Sequence, residues 1–403
     1  MKYIVILGDG MADEPVEQLE GKTPLMVAKK PNMDAMAREG EVGMVRTTPD
    51  DMPPGSDVTN LAIMGYDPSI YYTGRSSLEA ASIGIPLGEK DVTFRCNLVT
   101  LSDDEPYEAK TMVDYSSDEI STREARRLIE YLDSHFHTDA FSLHTGLSYR
   151  HCLKWTDGQT GSKLTPPHDI TGKKIAEHLP KGTAGEALLD MMKRSSLLLA
   201  DHPVNRERIQ MGLKPANSAW FWGEAKKPIL TSFGDKFGKK GAVISAVDLI
   251  KGIGVCAGLK VVEVEGATGN IHTNFEGKAE AALNELLYGT DFVYVHIEAP
   301  DECGHRGEVE NKIKSIEYID RKVIGPLIQG LKKHEKYFRM LILPDHPTPL
   351  RIMTHTKNPV PYILYSSKGN KPSGAKAYNE EEAGKTGVFV DKGYTMLDKL
   401  FAE

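Results

Sequence analysis

The feature that most constrains the fold is a series of short apolar runs, each closed by a turn rich in glycine, aspartate or histidine. "YIVILGDG" opens the chain, and "GAVISAV" (241–247), "LKVVEVEG" (259–266), "DFVYVHIEAPD" (291–301) and "FRMLILPDH" (338–346) repeat the pattern. Apolar runs of this length predict strands buried on both faces of a sheet. Between them, "EGKAEAALNELLYG" (276–289) and "NKIKSIEYIDRKVIGPLIQGLKKH" (311–334) space their apolar residues at the helical period. Strands alternating with helices predict an α/β fold with a mainly parallel sheet and helices on both faces.

The alternation weakens between about residues 90 and 235. That region holds "FRCNLVTL", a helical "TREARRLIEYLD" (122–133), "LSYRHCLKW", the loop "TPPHDITG" and "SAWFWGE". At 403 residues the chain has room for two or three domains, or for one large domain carrying an insertion. The expectation is a discontinuous core, residues 1–90 and 235–403, with a smaller α/β or α+β domain inserted at 91–234. Its hinges fall near 85–95 and 230–240, with Trp220 and Trp222 packing the hinge.

Charge and composition exclude several classes of partner. Lys and Arg number 49 against 57 Asp and Glu, a net charge of −8, and no basic block could follow a nucleic-acid backbone. The opening "MKYIVILGDG" lacks a cleavage site for a secretory signal, and no apolar run approaches the roughly 20 residues that span a bilayer. Cys96, Cys152, Cys256 and Cys303 form no CxxC pair, which fits a cytoplasmic protein with reduced thiols.

The chemistry-bearing residues gather where such a sheet presents its ligands, beyond the carboxyl ends of the strands. Asp9 follows the first strand. "DECGH" sets Asp301 and His305 four residues apart, on one face of a helical turn. "PDHPTP" places Asp345 and His346 at a strand end, and "THTKNPVP" adds His355 in a proline-bracketed loop. Three aspartates and three histidines suffice for two divalent ions, about three ligands each, of the kind that accept mixed oxygen and nitrogen donors. "PPGSDVTN" (53–60) displays Ser56 in a rigid turn before a helix. A turn serine is ordinarily an N-cap. Beside two metal ions it becomes instead a candidate metal ligand and oxygen nucleophile for phosphoryl transfer.

Taken together, "GDG", "PPGSDVTN", "APDECGH", "LPDHPTP" and "THTKNPVP" resemble the alkaline phosphatase superfamily. With "LAIMGYDP", "TGRSSLEAASIGIPL", "DVTFRCNLVTL", "PPHDITG" and "TNFEGKAEAAL", nearly the whole chain resembles the archaeal-type, 2,3-bisphosphoglycerate-independent phosphoglycerate mutases. The resemblance implies an alkaline-phosphatase-like core with an inserted cap, and a glycolytic or gluconeogenic interconversion of 2- and 3-phosphoglycerate through phosphorylated Ser56. It implies one ion on Asp9, Ser56, Asp345 and His346, and another on Asp301, His305 and His355. Manganese is the first choice of metal, with magnesium, zinc and cobalt also compatible.

The same resemblance directs attention to Arg95, Arg150, His151, His168 and Asp169 in the insertion, and to Arg75 just before it, as groups that hold the substrate carboxylate. Arginine suits a carboxylate because its fork donates two parallel hydrogen bonds. Lys251 in "VDLIKG" resembles a phosphate-contacting lysine of the wider mutase group. Alternatives that keep the metals and the serine are a phosphomonoesterase or a phosphopentomutase of the same superfamily. A metal-binding protein without catalysis is the reading from another class.

Overall fold

The computed structural model describes residues 1–402. The chain divides into two compact units, one formed by Met1–Tyr72 with Leu230–Glu403 and the other by Thr73–Ile229.

The larger unit is built on an eight-stranded sheet. Its order is Lys260–Val261, Gly241–Ile244, Phe292–Ile297, Lys2–Gly8, Phe338–Leu343, Val360–Ser366, Glu41–Val45 and Phe389–Val390. All five predicted apolar runs are strands in this sheet, and they pair in parallel. Only Val360–Ser366 runs against its neighbours. The run at 259–266 forms just two strand residues, because Val262 leaves the ladder and a loop continues to Asn274.

Burial on both faces explains the unbroken hydrophobicity of the strands. Ile4, Ile6, Val293, Val295, Met340 and Ile342 pack with residues of the Phe275–Tyr288 helix and of the long helical segment from Val309. Val5, Leu7, Tyr294, Leu341 and Leu343 alternate with them and are equally buried. The pattern read at 311–334 forms two helices, Val309–Tyr318 and Gly325–Lys333, joined by a π-helical turn at Ile319–Ile324. Pro326 has no N–H to continue a regular ladder, and the wide turn buries Asp320, whose Oδ1 accepts the Met33 N–H at 2.7 Å.

The smaller unit is α+β. Strand Val92–Leu101 lies between Arg150–Trp155 and Ser218–Lys226, with Phe141–His144 and Met112–Asp114 completing an antiparallel five-stranded sheet. The helix read at 122–133 extends over Thr122–Phe136, and a capping box between Ser121 and Glu124 sets its start. The unit begins earlier than residue 91 because helix Arg75–Ser82 packs on the Val92–Leu101 strand. Ser76 Oγ donates to Thr93 O at 3.0 Å, and Glu79 pairs with Arg95 at 2.9 Å.

Among the described residues no helix is long and apolar enough to cross a membrane.

Candidate active site

Sheet order brings the predicted residues together. Strands Phe292–Ile297, Lys2–Gly8 and Phe338–Leu343 are neighbours and run in parallel, so Asp301, Asp9 and Asp345–His346 leave the sheet side by side. The turn between them admits only glycine at position 10. Gly10 has φ +60°, and a Cβ there would lie 2.5 Å from Thr348 Oγ1 and 2.6 Å from Asp301 Oδ1.

Two ligand-like groups result: Asp9, Asp345 and His346, and Asp301, His346 and His355, each with its donor atoms within 4.8 Å of one another. His346 Nε2 lies 3.5 Å from Asp9 Oδ1 and 3.3 Å from Asp345 Oδ2. Asp301 is flanked by His305 Nε2 and His355 Nε2, each at 3.3 Å. His346 is therefore close to both groups, although the resemblance allotted it to one. Its ring stacks on that of His355, with centroids 3.8 Å apart. Burial is graded: Asp9, Asp345 and His346 are enclosed, while His355 is partly open and His305 exposed.

The donor set fits divalent cations on two observations. Asp9 Oδ1 is buried and has no hydrogen-bond partner. Burial drives the Asp9 carboxyl well above its usual range, and the charges of Asp345, Asp301 and Glu298 push it further. An orphaned oxygen in a crowd of carboxylates is a costly arrangement that a cation relieves. The histidines give the second observation. His305 Nδ1 faces Met353 O at 2.9 Å, and His355 Nδ1 faces Pro54 O at 2.8 Å. A carbonyl can only accept, so both Nδ1 atoms carry protons and both Nε2 atoms of the neutral rings are bare. The two Nε2 atoms lie 2.8 Å apart, a contact that needs a proton on one of them when no cation is bound. Without a cation, the contact with Asp301 raises His305 to about 9. Burial would raise Asp301, but the hydrogen bonds of His305 and His355 outweigh it and hold its carboxyl well below the usual range.

Ser56 is not the N-cap. Gly55 takes that position, and Ser56 is the first residue of helix Ser56–Ile63, with no side-chain cap bond. Its half-buried hydroxyl lies 3.2 Å from His346 Nε2. The turn serine is free of its usual structural duty.

Several residues that support the site carried no readable signal in the sequence. Asp345 accepts from Gly10 N, His346 N, Thr59 Oγ1 and Asn60 Nδ2 at 3.2, 2.9, 3.0 and 2.9 Å. Tyr294 O–H orients Asn60 at 2.7 Å. His296 Nε2 lies 2.9 Å from Asp9 Oδ2, and its Nδ1 is 3.1 Å from Ser245 Oγ. Burial pushes His296 down to about 3, so a neutral ring steadies Asp9. Thr59 and Asn60, one helical turn after Ser56 in "PPGSDVTN", were within reach of sequence reasoning.

Lys312 pins the ligand loops. Its ammonium is fully buried and donates to Asp13 Oδ2 at 2.7 Å, Thr348 O at 2.8 Å and Ala12 O at 3.4 Å. Three donors thus join the loop after Asp9 to the loop after His346. Lys312→Met should lower stability by about 3–5 kcal/mol, because it strands Asp13 as a buried unpaired charge. Urea unfolding of the purified variant checks this, and a loss within about 0.5 kcal/mol would contradict it.

The residues expected to hold substrate divide between the units. In the smaller unit, Arg95 stacks over Trp222 at 4.1 Å and pairs with Glu79. Arg75 Nε donates to the same Glu79 at 2.8 Å. Burial lowers the Arg95 pKa, and the charges of Arg75 and Arg150 lower it further. Arg150 is exposed and reaches the Tyr149 hydroxyl at 2.9 Å. His168 sets its ring against Trp222 at 5.3 Å, with Asp169 3.6 Å from its Nε2. Arg75, Arg95, Glu79 and Trp222 therefore form one cluster, and Arg150 is near enough for its charge to act on Arg95. Trp222 belongs to it, whereas Trp220 is buried in the core with Nε1 donating to Thr165 O at 2.9 Å.

His151 stands apart. Strand alternation sends it to the face opposite Arg150, where it is buried, accepts the Gly146 N–H at 3.1 Å and leaves Nε2 without a partner. In the larger unit, Lys251 Nζ is paired with Glu263 at 2.8 Å.

A parallel-rich α/β sheet whose adjacent strand ends gather carboxylates, imidazoles and one hydroxyl defines a class of enzymes with paired ligand-like groups beside a candidate nucleophile. Comparison with known proteins gives the family. Residues 37–205 match the family model described as 2,3-bisphosphoglycerate-independent phosphoglycerate mutase. The chain is 52% identical to a probable mutase of that name from Geobacter sulfurreducens over 99% of both chains. It is 50% identical to the mutase of Methanothrix thermoacetophila over 100% of both. A solved protein of Pyrococcus horikoshii superposes with a TM-score of 0.83 at 29% identity, covering 100% of this chain and 98% of that one. The cofactor-independent phosphoglycerate mutase of Thermoplasma acidophilum shares the fold, with a TM-score of 0.69 at 24% identity over 99% of each chain. The chain belongs to the 2,3-bisphosphoglycerate-independent phosphoglycerate mutase family, and is an isomerase.

Proposed function

We propose that the protein interconverts 2-phosphoglycerate and 3-phosphoglycerate without added 2,3-bisphosphoglycerate, passing the phosphoryl group through Ser56. The observation that carries this reading is the Ser56 hydroxyl, unused by its helix and 3.2 Å from an imidazole shared by two ligand groups. Asp9, Asp345, His346 and Ser56 would hold one divalent cation, and Asp301, His305 and His355 a second. Bound cations would favour the serine alkoxide and neutralise phosphoryl oxygens. Manganese is the proposed ion.

The chain's own residues account for the remaining demands. With His346 Nε2, 3.2 Å away, committed to the cation, the Ser56 hydroxyl would lose its proton to the departing substrate oxygen, and the start of helix Ser56–Ile63 favours an anion beside it. The Ser56 oxygen bonds to phosphorus as the bond to the substrate oxygen breaks, and that oxygen takes up the proton released by Ser56, leaving glycerate. That glycerate must stay bound by its carboxylate until its other hydroxyl takes the phosphoryl group back. Arg75, Arg95 and Arg150 are the proposed carboxylate grip, and His168 with Asp169 borders them through Trp222. His151, buried on the other face, supports the sheet under Arg150. Lys251 is proposed to contact phosphate only by exchanging its Glu263 partner.

The test is incubation with 3-phosphoglycerate and Mn²⁺, with and without 2,3-bisphosphoglycerate, following 2-phosphoglycerate and free phosphate together. Formation of 2-phosphoglycerate at a rate independent of the bisphosphate is expected. Release of phosphate alone would replace the mutase by a phosphomonoesterase. Arg95→Ala should raise KM about tenfold to a hundredfold, the worth of a charged hydrogen bond, and increase phosphate release as glycerate escapes. Unchanged KM and partition would remove Arg95 from the grip.

A further inference from the structure

The three imidazoles of the site do not owe their orientation to the same kind of partner. Carbonyl oxygens hold Nδ1 of His305 and His355, but Nδ1 of His346 faces the hydroxyl of Thr348 at 3.3 Å. A hydroxyl can donate or accept, so the tautomer of His346 depends on where the Thr348 proton goes. We infer that Thr348 is a positioning residue that keeps the His346 proton on Nδ1, so that Nε2 offers a bare lone pair to Ser56 in the metal-free site and to a cation when one is bound. This inference deepens the proposed function and rests on it for the role of the cation.

The surroundings of Thr348 leave its proton one destination. The side chain is fully buried, and Oγ1 donates to Asp301 Oδ1 at 2.5 Å. An ionised carboxylate only accepts, and the hydroxyl has a single proton to give. With that proton spent on Asp301, the contact to His346 is made by the Nδ1–H donating to Oγ1. The neutral ring has no second proton, so Nε2 is free to accept the Ser56 hydroxyl. The opposite tautomer would turn an Nε2–H toward Asp9 and Asp345 at 3.5 and 3.3 Å, blocking the nitrogen.

The backbone of Thr348 is fixed as firmly as its hydroxyl. Its N–H donates to Ala12 O at 3.2 Å, and its carbonyl accepts from Lys312 Nζ at 2.8 Å. One residue therefore touches Asp301 and His346, a member of each ligand group, while being tied to the loop that carries Asp9. Neither its type nor its place in "PDHPTP" distinguishes it from an ordinary loop threonine.

The test compares wild type with Thr348→Val, which keeps the shape and loses the hydroxyl, and Thr348→Ser, which keeps the hydroxyl. Long-range 15N–1H spectra of metal-free, histidine-labelled protein near about pH 8, where imidazole is ordinarily neutral, report which nitrogen of His346 is protonated. Calorimetric titration with Mn²⁺ reports affinity. Wild type and Thr348→Ser should show the Nδ1–H form. Thr348→Val should shift to Nε2–H and bind Mn²⁺ about 10- to 100-fold more weakly, as expected on losing the partner of a ligand histidine. A proton on Nε2 in the wild type, or a valine variant with wild-type tautomer and affinity, overturns the inference. If the valine variant does not fold, the wild-type and serine spectra decide it. Failure of the wild type to bind Mn²⁺ would sink the two-cation reading, while the spectra would still judge Thr348.

Discussion

Ser56→Ala is expected to reduce turnover by about 10⁴-fold or more while leaving the fold intact, because on the proposed mechanism it removes the atom that would carry phosphorus between the two substrate oxygens. The two halves of this expectation have separate physical grounds. Ser56 is the first residue of its helix, is half-buried and makes no cap bond, so alanine there should cost no more than about 0.5 kcal/mol. Its hydroxyl faces His346 Nε2, whose own position is held by Thr348 and by the stack on His355. Thermal melting would show the intact fold, and the coupled assay the lost turnover. Peptide mass analysis of wild type quenched with 3-phosphoglycerate should place a phosphate on Ser56. Undiminished turnover by the alanine variant would assign the nucleophile elsewhere or abolish the mechanism.

Removing divalent cations should be the other large perturbation, eliminating activity and lowering the melting temperature, both restored by Mn²⁺. The metal-free site keeps Asp9, Asp301 and Asp345 together in buried surroundings, with Asp9 Oδ1 unpaired and its carboxyl well above the usual range. Binding to the folded state alone stabilises by about 4 kcal/mol at a thousandfold excess over the dissociation constant. For a unit of this size that is roughly 8–16 °C in Tm. Asp345→Ala should show the same loss of activity with only a small Mn²⁺-induced rise in Tm. It deletes a candidate ligand and leaves the donors of Thr59 and Asn60 without their acceptor. A melting curve unmoved by chelator and by Mn²⁺ would mean that these carboxylates and imidazoles hold no ion.

Much of the scaffold was legible because burial leaves a periodic trace. The strands at Lys2–Gly8, Phe292–Ile297 and Phe338–Leu343 are buried on both faces, and their uninterrupted apolar runs announce it. The edge strand Lys260–Val261 is short, and its apolar run overstated it, since Val262 and Val264 serve the core from a loop. The limit of the smaller unit was harder to see. Helix Arg75–Ser82 carries no mark of the sheet it joins until Glu79 is found on Arg95, which follows it by 16 positions, and Ser76 on Thr93. The arginine cluster was partly visible as residue types. That Arg150 and His151 part company follows from strand alternation once the strand is located.

What the sequence determined by itself is the frame and the donors: which runs are buried strands, which turns follow them, and that aspartates, histidines and one serine occupy those turns. Hydrophobic periodicity and turn chemistry are local, so they survive in one dimension. Only the tertiary structure decided how the donors are aimed. Thr348 meets Asp301 across 47 positions, Asn60 meets Asp345 across 285, and His296 meets Asp9 across 287. The protonated nitrogen of each imidazole, the oxygen left orphaned and the histidine common to both groups follow from hydrogen-bond partners that strand order brings together, and no local pattern encodes that order.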